Sequence, residues 1–390
     1  MTYSWVPIVN FSLWPATNPA TAPSKGNHWF LIVLVGLVQP RHARAEDSVS
    51  VKYQDYYREA DGRIAVQVRS ALFEQDLGTS MHVKVMGIMD SIAGATPDGE
   101  PAPTPGGQVP LASMVEERKA WTLDFSRQFG GVNISAGMAN SRERDYVSHG
   151  WSLNKLTDFN SKNTSLVVGL AGTDDDIKVY FQVPRTKKRT LDMLVGINQL
   201  LNPLTSVTFD VTYSQANGYL SDPYKLVQKN TEVFPGIFLL RTSSENQPDH
   251  RNRWIALASI NRAIPNLNGA LEASYRFHTD DFGMITRTLS LDWYQKIGPK
   301  FMLRPFIRFF NQSAADFNAV SLTGSSIVPT SRPSGHAPFY SADYRLSKLD
   351  TLDYGLKVLK DWLDGVRLFL DRECNCGSVS LSAPPWAPER

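Results

Sequence analysis

The sequence predicts an all-β fold, a transmembrane antiparallel β-barrel of about 14–16 strands with short periplasmic turns and long outer loops. Three observations predict it. Runs of about ten residues alternate apolar and polar side chains, as a strand with one lipid-facing side requires. Short and long connections alternate between these runs. After the N-terminal region no apolar stretch is long enough for a membrane helix, and the mean hydropathy is −0.25.

Taken in order, Val49, Val51, Tyr53 and Tyr57 supply a first strand, followed by runs at 64–75 and 79–92. Trp121, Leu123 and Phe125 alternate with Thr122, Asp124 and Ser126, and Val132, Ile134, Ala136 and Met138 with Asn133, Ser135 and Gly137. Only Phe129-Gly130-Gly131 parts the two runs, which marks a hairpin. Further runs are expected at 163–172 and 177–183. A strand through Leu191, Met193, Val195 and Ile197 turns at Asn202-Pro203 into one carrying Thr205, Val207, Phe209, Val211 and Tyr213. The series continues at 252–264, 269–278, 285–297, 301–310 and 350–359.

Short turns are expected at 76–78, 129–131, 173–176, 202–203, 265–268 and 298–299, and longer segments at 93–116, 145–162, 184–189, 216–250, 279–284 and 311–349. A soluble β-sandwich also alternates. Here, however, the polar face is mostly Thr, Ser, Asp, Gly and Asn, which suits a crowded hydrated lumen better than an open surface. Trp121, Trp151, Trp254, Trp293, Tyr213, Phe301 and Phe309 lie near strand ends, where amphipathic rings favour the membrane interface.

The apolar run 29–38 follows Lys25 and His28 and leads to the small-x-small pattern Ala43-Arg44-Ala45. Residues 1–45 therefore read as a signal peptide cleaved after Ala45, 46–359 as the barrel and 360–390 as an atypical C-terminal segment. The 390-residue chain has 40 basic and 38 acidic side chains; Lys25, Arg41 and Arg44 leave with the leader, so 37 bases face 38 acids and no nucleic-acid partner is expected. Cys374 and Cys376, one residue apart, form neither a disulfide framework nor a metal site.

Several strings resemble an uncharacterised family of bacterial outer-membrane barrels, domain of unknown function 3570, over roughly 50–358. They are 61–64, 90–97, 158–164, 218–227, 293–296, 312–317 and 340–347, and the fourth holds the loop motif Ser221, Asp222, Pro223, Tyr224 and Lys225. The resemblance implies fold and location and leaves activity unassigned. Beyond about Leu359 the chain departs from it. Lys360-Asp361-Trp362 and the Pro-rich end replace the expected alternating closing strand, which puts barrel closure in question and predicts poor insertion.

The polar face from 269 to 310 gathers a lumen charge patch of Glu272, Arg276, Asp292, Lys296, Arg304 and Arg308. It fits either an anion-selecting surface or a set of ion pairs bracing the wall. Asp158, Asp174, Asp175, Asp176, Asp222, Asp280 and Asp281 could offer oxygen ligands to calcium, but no loop has the required spacing, so no metal or cofactor is expected. His82, His149, His250, His278 and His336 are scattered without a nucleophile elbow, and His278 is the least improbable base for a hydrolase. The reading is an integral outer-membrane barrel serving as a pore or solute channel, with loops 216–250 and 311–349 folding over or into the lumen. A non-conducting docking barrel is the alternative, and an outer-membrane hydrolase a third. The expected partners are outer-membrane lipid, the barrel assembly machinery and a small solute.

Overall fold

A computed structural model describes residues 48–57, 64–97, 103–104, 107, 110–179, 185–360 and 374–380. The expected leader and most of the C-terminal segment lie outside the described residues, as do the side chains of Cys374 and Cys376.

The strands are β1 (Ser48–Tyr57), β2 (Ile64–Leu77), β3 (Met81–Pro97), β4 (Leu111–Phe129), β5 (Val132–Arg142), β6 (Tyr146–Phe159), β7 (Thr164–Ile177), β8 (Thr186–Asn202) and β9 (Thr205–Gly218). They continue as β10 (Leu226–Phe234), β11 (Ile237–Ser244), β12 (His250–Ile264), β13 (Gly269–Asp280), β14 (Ile285–Ile297), β15 (Phe301–Gln312), β16 (Leu349–Lys360) and β17 (Cys374–Ser380). All but β10 and β11 form one 15-stranded sheet in chain order, each strand antiparallel to its neighbours. No helix among the described residues is long and apolar enough to cross a membrane. The chain crosses with strands instead, and the sheet curls so that residues from β3 through β15 line one cavity.

The two faces of this sheet are inverted relative to a soluble protein. Trp121, Leu123 and Phe125 on β4, Met138 on β5, Trp151 and Leu153 on β6 and Leu289 and Leu291 on β14 are all exposed on the outside. Asp192, Ser214 and Lys225, by contrast, are buried within. A continuous exposed apolar band on alternate strand positions is stable only against lipid. Two aromatic levels bound it, Trp121 and Trp151 towards the long loops and Phe129 and Phe159 at the short turns.

Three expectations in the middle of the chain are corrected. Residues 145–162 are not a long loop, because they hold β6. Residues 173–176 are not a turn but belong to the end of β7, which closes at Ile177; Lys178 and Val179 are not in a strand, and the rest of the expected run 177–183 lies outside the described residues. The physical reason is a zipper of charge. Asp174, Asp175 and Asp176 stand opposite Arg189, Lys188 and Lys187 on β8, and each pair is within ion-pair distance. Cross-strand neutralisation lets three consecutive acids extend a strand instead of breaking it. The true turn lies at 160–163, where Asn160, Ser161 and Lys162 adopt left-handed backbone angles.

Segment 216–250 is likewise not a plain loop, since it carries the β10–β11 hairpin outside the main sheet. Beyond 359, β17 adds to β16 with a register irregularity between Asp353 and Gly355. Among the described residues no pairing joins β1 to β17.

Candidate functional site

The sheet encloses a cavity of about 1120 Å³. Its wall comes from the inward positions of the strands and its cover from the long connections. Residues 219–225 and 247, between β9 and β12, and Asp343, Arg345 and Leu346, before β16, face into it. Packing between the connections makes the cover a unit. Phe282, Met284, Ala315 and Leu346 form one apolar cluster with Leu220 and Phe317 against it, and Val227, Leu322 and Tyr340 form another.

The predicted loop motif sits in this cover. Ser221 Oγ accepts the Gln247 backbone N–H at 3.0 Å, and Asp222 accepts the Tyr224 N–H at 2.9 Å while pairing with Arg345. Pro223 lines the cavity. Tyr224 donates to Asp145 of the β5–β6 turn, and Lys225, almost fully buried, places its ammonium 5.1 Å from the Tyr344 ring centre. Arg345 also bonds Asp343, at 2.8 Å from Nε to Oδ2. Behind them the fully buried Glu245 accepts from the Asp222 N–H at 2.5 Å, from Gln247 Nε2 at 2.7 Å and from Ser341 Oγ.

Burial pushes the Glu245 carboxyl up to about 8, reinforced by the neighbouring Asp222 and Asp343, while the bonds from Ser341 and the Asp222 N–H pull it down. Burial also raises Asp222, against the opposing charge of Arg345. It lowers Lys225, although the surrounding carboxylates oppose that shift. The result is a latch of three carboxylates and two cations joining two loops about a hundred residues apart in sequence.

The structure distributes the predicted lumen charges unevenly. Asp292 accepts from Arg304 Nε at 2.9 Å, and the Arg304 guanidinium lies 5.0 Å from the Tyr294 ring centre. Glu272 accepts the Tyr294 hydroxyl at 3.0 Å. Lys296 is exposed at the short-turn end of β14. Arg276 and Arg308 stand apart from this set: both line the cavity, and among the described residues neither makes an ion pair or hydrogen bond. His278 also lines the cavity. Its Nε2 is 3.8 Å from Asp280 Oδ2, but that carboxylate is committed to Arg251 and to the Phe282 and Met284 N–H groups.

Sequence reasoning missed Arg251 and Arg253, whose phase on β12 matches the inward positions Leu257 and Ser259 and could have revealed them. Glu245 carried no local signal. The acids considered for calcium are bound elsewhere: Asp158 to Ser165, Asp174, Asp175 and Asp176 to the β8 bases, Asp222 to Arg345, Asp280 to Arg251 and Asp281 to Asn252. Among the described residues no group of three or more potential ligands forms a metal cluster.

The architecture is that of a transmembrane antiparallel β-barrel. The chain belongs to the family described as "Protein of unknown function (DUF3570)", which matches residues 34–186 and 179–373. No curated protein matches it. Among solved structures it is similar to the siderophore receptor PirA from Pseudomonas aeruginosa, with 11% identity, a TM-score of 0.41, and coverage of 84% of this chain and 55% of that one. It is also similar to the ferric-catecholate import receptor Fiu from E. coli K12, at 8% identity and TM-score 0.44, covering 83% and 60% of the two chains. A third likeness is to an anion-selective porin from Comamonas acidovorans, at 9% identity and TM-score 0.40, covering 80% and 99%. The chain spans little more than half the length of those receptors. At such scores these are distant likenesses, and they carry neither solute nor partner to this chain.

Proposed function

We propose that the protein is an integral barrel of a bacterial outer membrane, exported by its N-terminal leader, and that its lumen is a capped path for small solutes. One observation carries this reading. A cavity of about 1120 Å³, lined by charged as well as apolar side chains, runs inside an apolar exterior, and loops held together by two small apolar clusters and a buried polar latch cover its outer end. Outer-membrane lipid and the barrel assembly machinery are its partners, and no chemistry is assigned to His278.

Fractionation tests the location: a heat-modifiable band in the outer membrane is expected, and its absence there overturns the reading. Reconstitution of the full chain in planar bilayers tests the pore. Discrete conductance steps are expected, and Arg345→Met, which unties Asp222 and Asp343, should make openings more frequent. A silent membrane with both proteins rejects a pore.

The β10–β11 hairpin favours a second reading, a docking barrel for an envelope partner. Val233, Phe234, Ile237, Phe238, Leu239 and Leu240 at its tip are all exposed, outside the main sheet. A silent membrane, with loss of an envelope partner on Phe238→Ser, would favour it.

A further inference from the structure

We infer that the β12–β15 wall of the lumen carries a binding site for small oxyanions, of the phosphate or carboxylate type, centred on Arg276 and Arg308 with Arg253 above them. The inference rests on the capped-path reading and gives that path a class of solute.

Placement comes from the register. Arg276 on β13 stands opposite Thr288 of β14, and Arg308 on β15 stands opposite Ser290, the next inward residue of the same strand. Their backbones are two strands and one inward step apart, about 12 Å at the usual strand spacing and rise. Two long flexible arms over that gap can converge on one small anion. Arg253 lies nearer the cover, opposite Asp280 and donating from Nη2 to Ser214 Oγ at 2.8 Å. His278 sits between the rows of Arg253 and Arg276. The series descends from the cover into the lumen.

The contrast with other cations in the same cavity turns placement into function. Lys188, Arg251 and Arg345 each have a carboxylate within ion-pair distance. Among the described residues Arg253, Arg276 and Arg308 have none. Asp353 stands opposite Arg308 across β15 and β16, yet no ion pair joins them. Asp192 is separated from Arg253 by Ser214, and Asp210 from Arg276 by Leu257. Arg253 Nε and His278 Nδ1 are shut off from solvent without a hydrogen-bond partner. Wall bracing would pair these groups as it pairs the others. Neighbouring guanidinium groups left uncompensated repel each other until an anion bridges them, and the guanidinium fork suits an oxyanion in particular.

The test uses the full chain in detergent micelles titrated calorimetrically with inorganic phosphate, together with reversal potentials under a potassium chloride gradient. Saturable phosphate binding and an anion-selective potential are expected. The double variant Arg276→Gln/Arg308→Gln should weaken phosphate binding about tenfold or more and abolish the selectivity. Lys84→Gln, a cation paired with Glu74 on the far wall, should leave both unchanged. Heat-modifiability confirms that each variant is folded, and Arg308→Lys, which keeps the charge and loses the fork, should fall between. Absence of saturable phosphate binding by the parent protein overturns the inference, as does equal binding by the double variant. If the membrane is silent but phosphate binds through these arginines, the pore reading fails and the site stands. If current flows without anion preference or phosphate binding, the pore stands and the site falls.

Discussion

The two walls of the lumen are built on opposite principles. Along β4–β9 polar side chains lie over glycines: Gly137 is flanked by Asp124 and Ser152, Gly169 by Asn154 and Gly196 by Asp210. A Cβ added at Gly137 would sit 2.5 Å from Asp124 Oδ1, and one at Gly169 would sit 2.5 Å from Asn154 Oδ1. Asp175 on this wall is buried and neutralised by Lys188 and the Tyr146 hydroxyl, whereas the buried Asp192 has no ion pair among the described residues. Along β12–β15 Arg251 and Arg304 meet Asp280 and Asp292, but three further inward cations, Arg253, Arg276 and Arg308, have no carboxylate within ion-pair distance among the described residues. One wall sets its cations against acids of its own, and the other leaves three arginines facing the lumen without one.

That contrast can be broken experimentally. The largest effect is expected from Lys188→Met, which strands the nearly buried Asp175 and should destabilise the barrel by about 3–5 kcal/mol. Arg276→Met, with no partner to strand, should leave the urea midpoint of unfolding in micelles unchanged. Equal losses from the two would erase the distinction. Next comes the face that meets lipid: Leu153→Arg, near the middle of β6, should cost about 2–4 kcal/mol in bilayers, whereas the same change at the inward Ser152 should cost far less. Gly196→Val, which drives a side chain into Asp210 and Val167, should cost about 1–3 kcal/mol and reduce the folded, heat-modifiable fraction.

The smallest effect is a pH response in the cover. The folded value for Glu245 lies above its ordinary 4.5, so its contribution is full below about 4.5 and is lost as pH rises through about 8. Protease cutting within 226–244 should therefore rise between pH 6 and 9, and Glu245→Gln should flatten that rise. An unchanged slope in the variant would remove Glu245 from the latch.

Stretches with strict alternation, such as β9 and the part of β4 from Trp121 onward, are legible residue by residue because lipid demands an apolar outer face, whereas the start of β4 at Leu111 falls in a segment expected to be a loop. The end of β7 was not legible. Its Asp triplet looks like a turn until β8 brings Lys187, Lys188 and Arg189 alongside, and that register depends on two strands at once. The same limit explains the charge patch. Its members could be placed on the inner face from sequence, but only register separates Arg304, which meets Asp292, from Arg276 and Arg308, which meet neither acid. The cover was legible as two long loops and no further. Glu245 and Ser341 are 96 positions apart, and no local pattern announces their contact.

The aromatic levels described on β4 and β6 also measure thickness. Trp121 and Phe129 are eight positions apart, and so are Trp151 and Phe159. At roughly 3.3 Å per residue that is about 26 Å along the strand, and with the usual tilt near 40° about 20 Å across the membrane. Arg127, with its guanidinium 4.7 Å from the Phe129 ring centre, and the outward Lys155 reach towards the headgroups at the lower level. The protein is therefore matched to a thin hydrocarbon layer. A thick bilayer would have to thin around it, so short-chain lipids should receive it most readily.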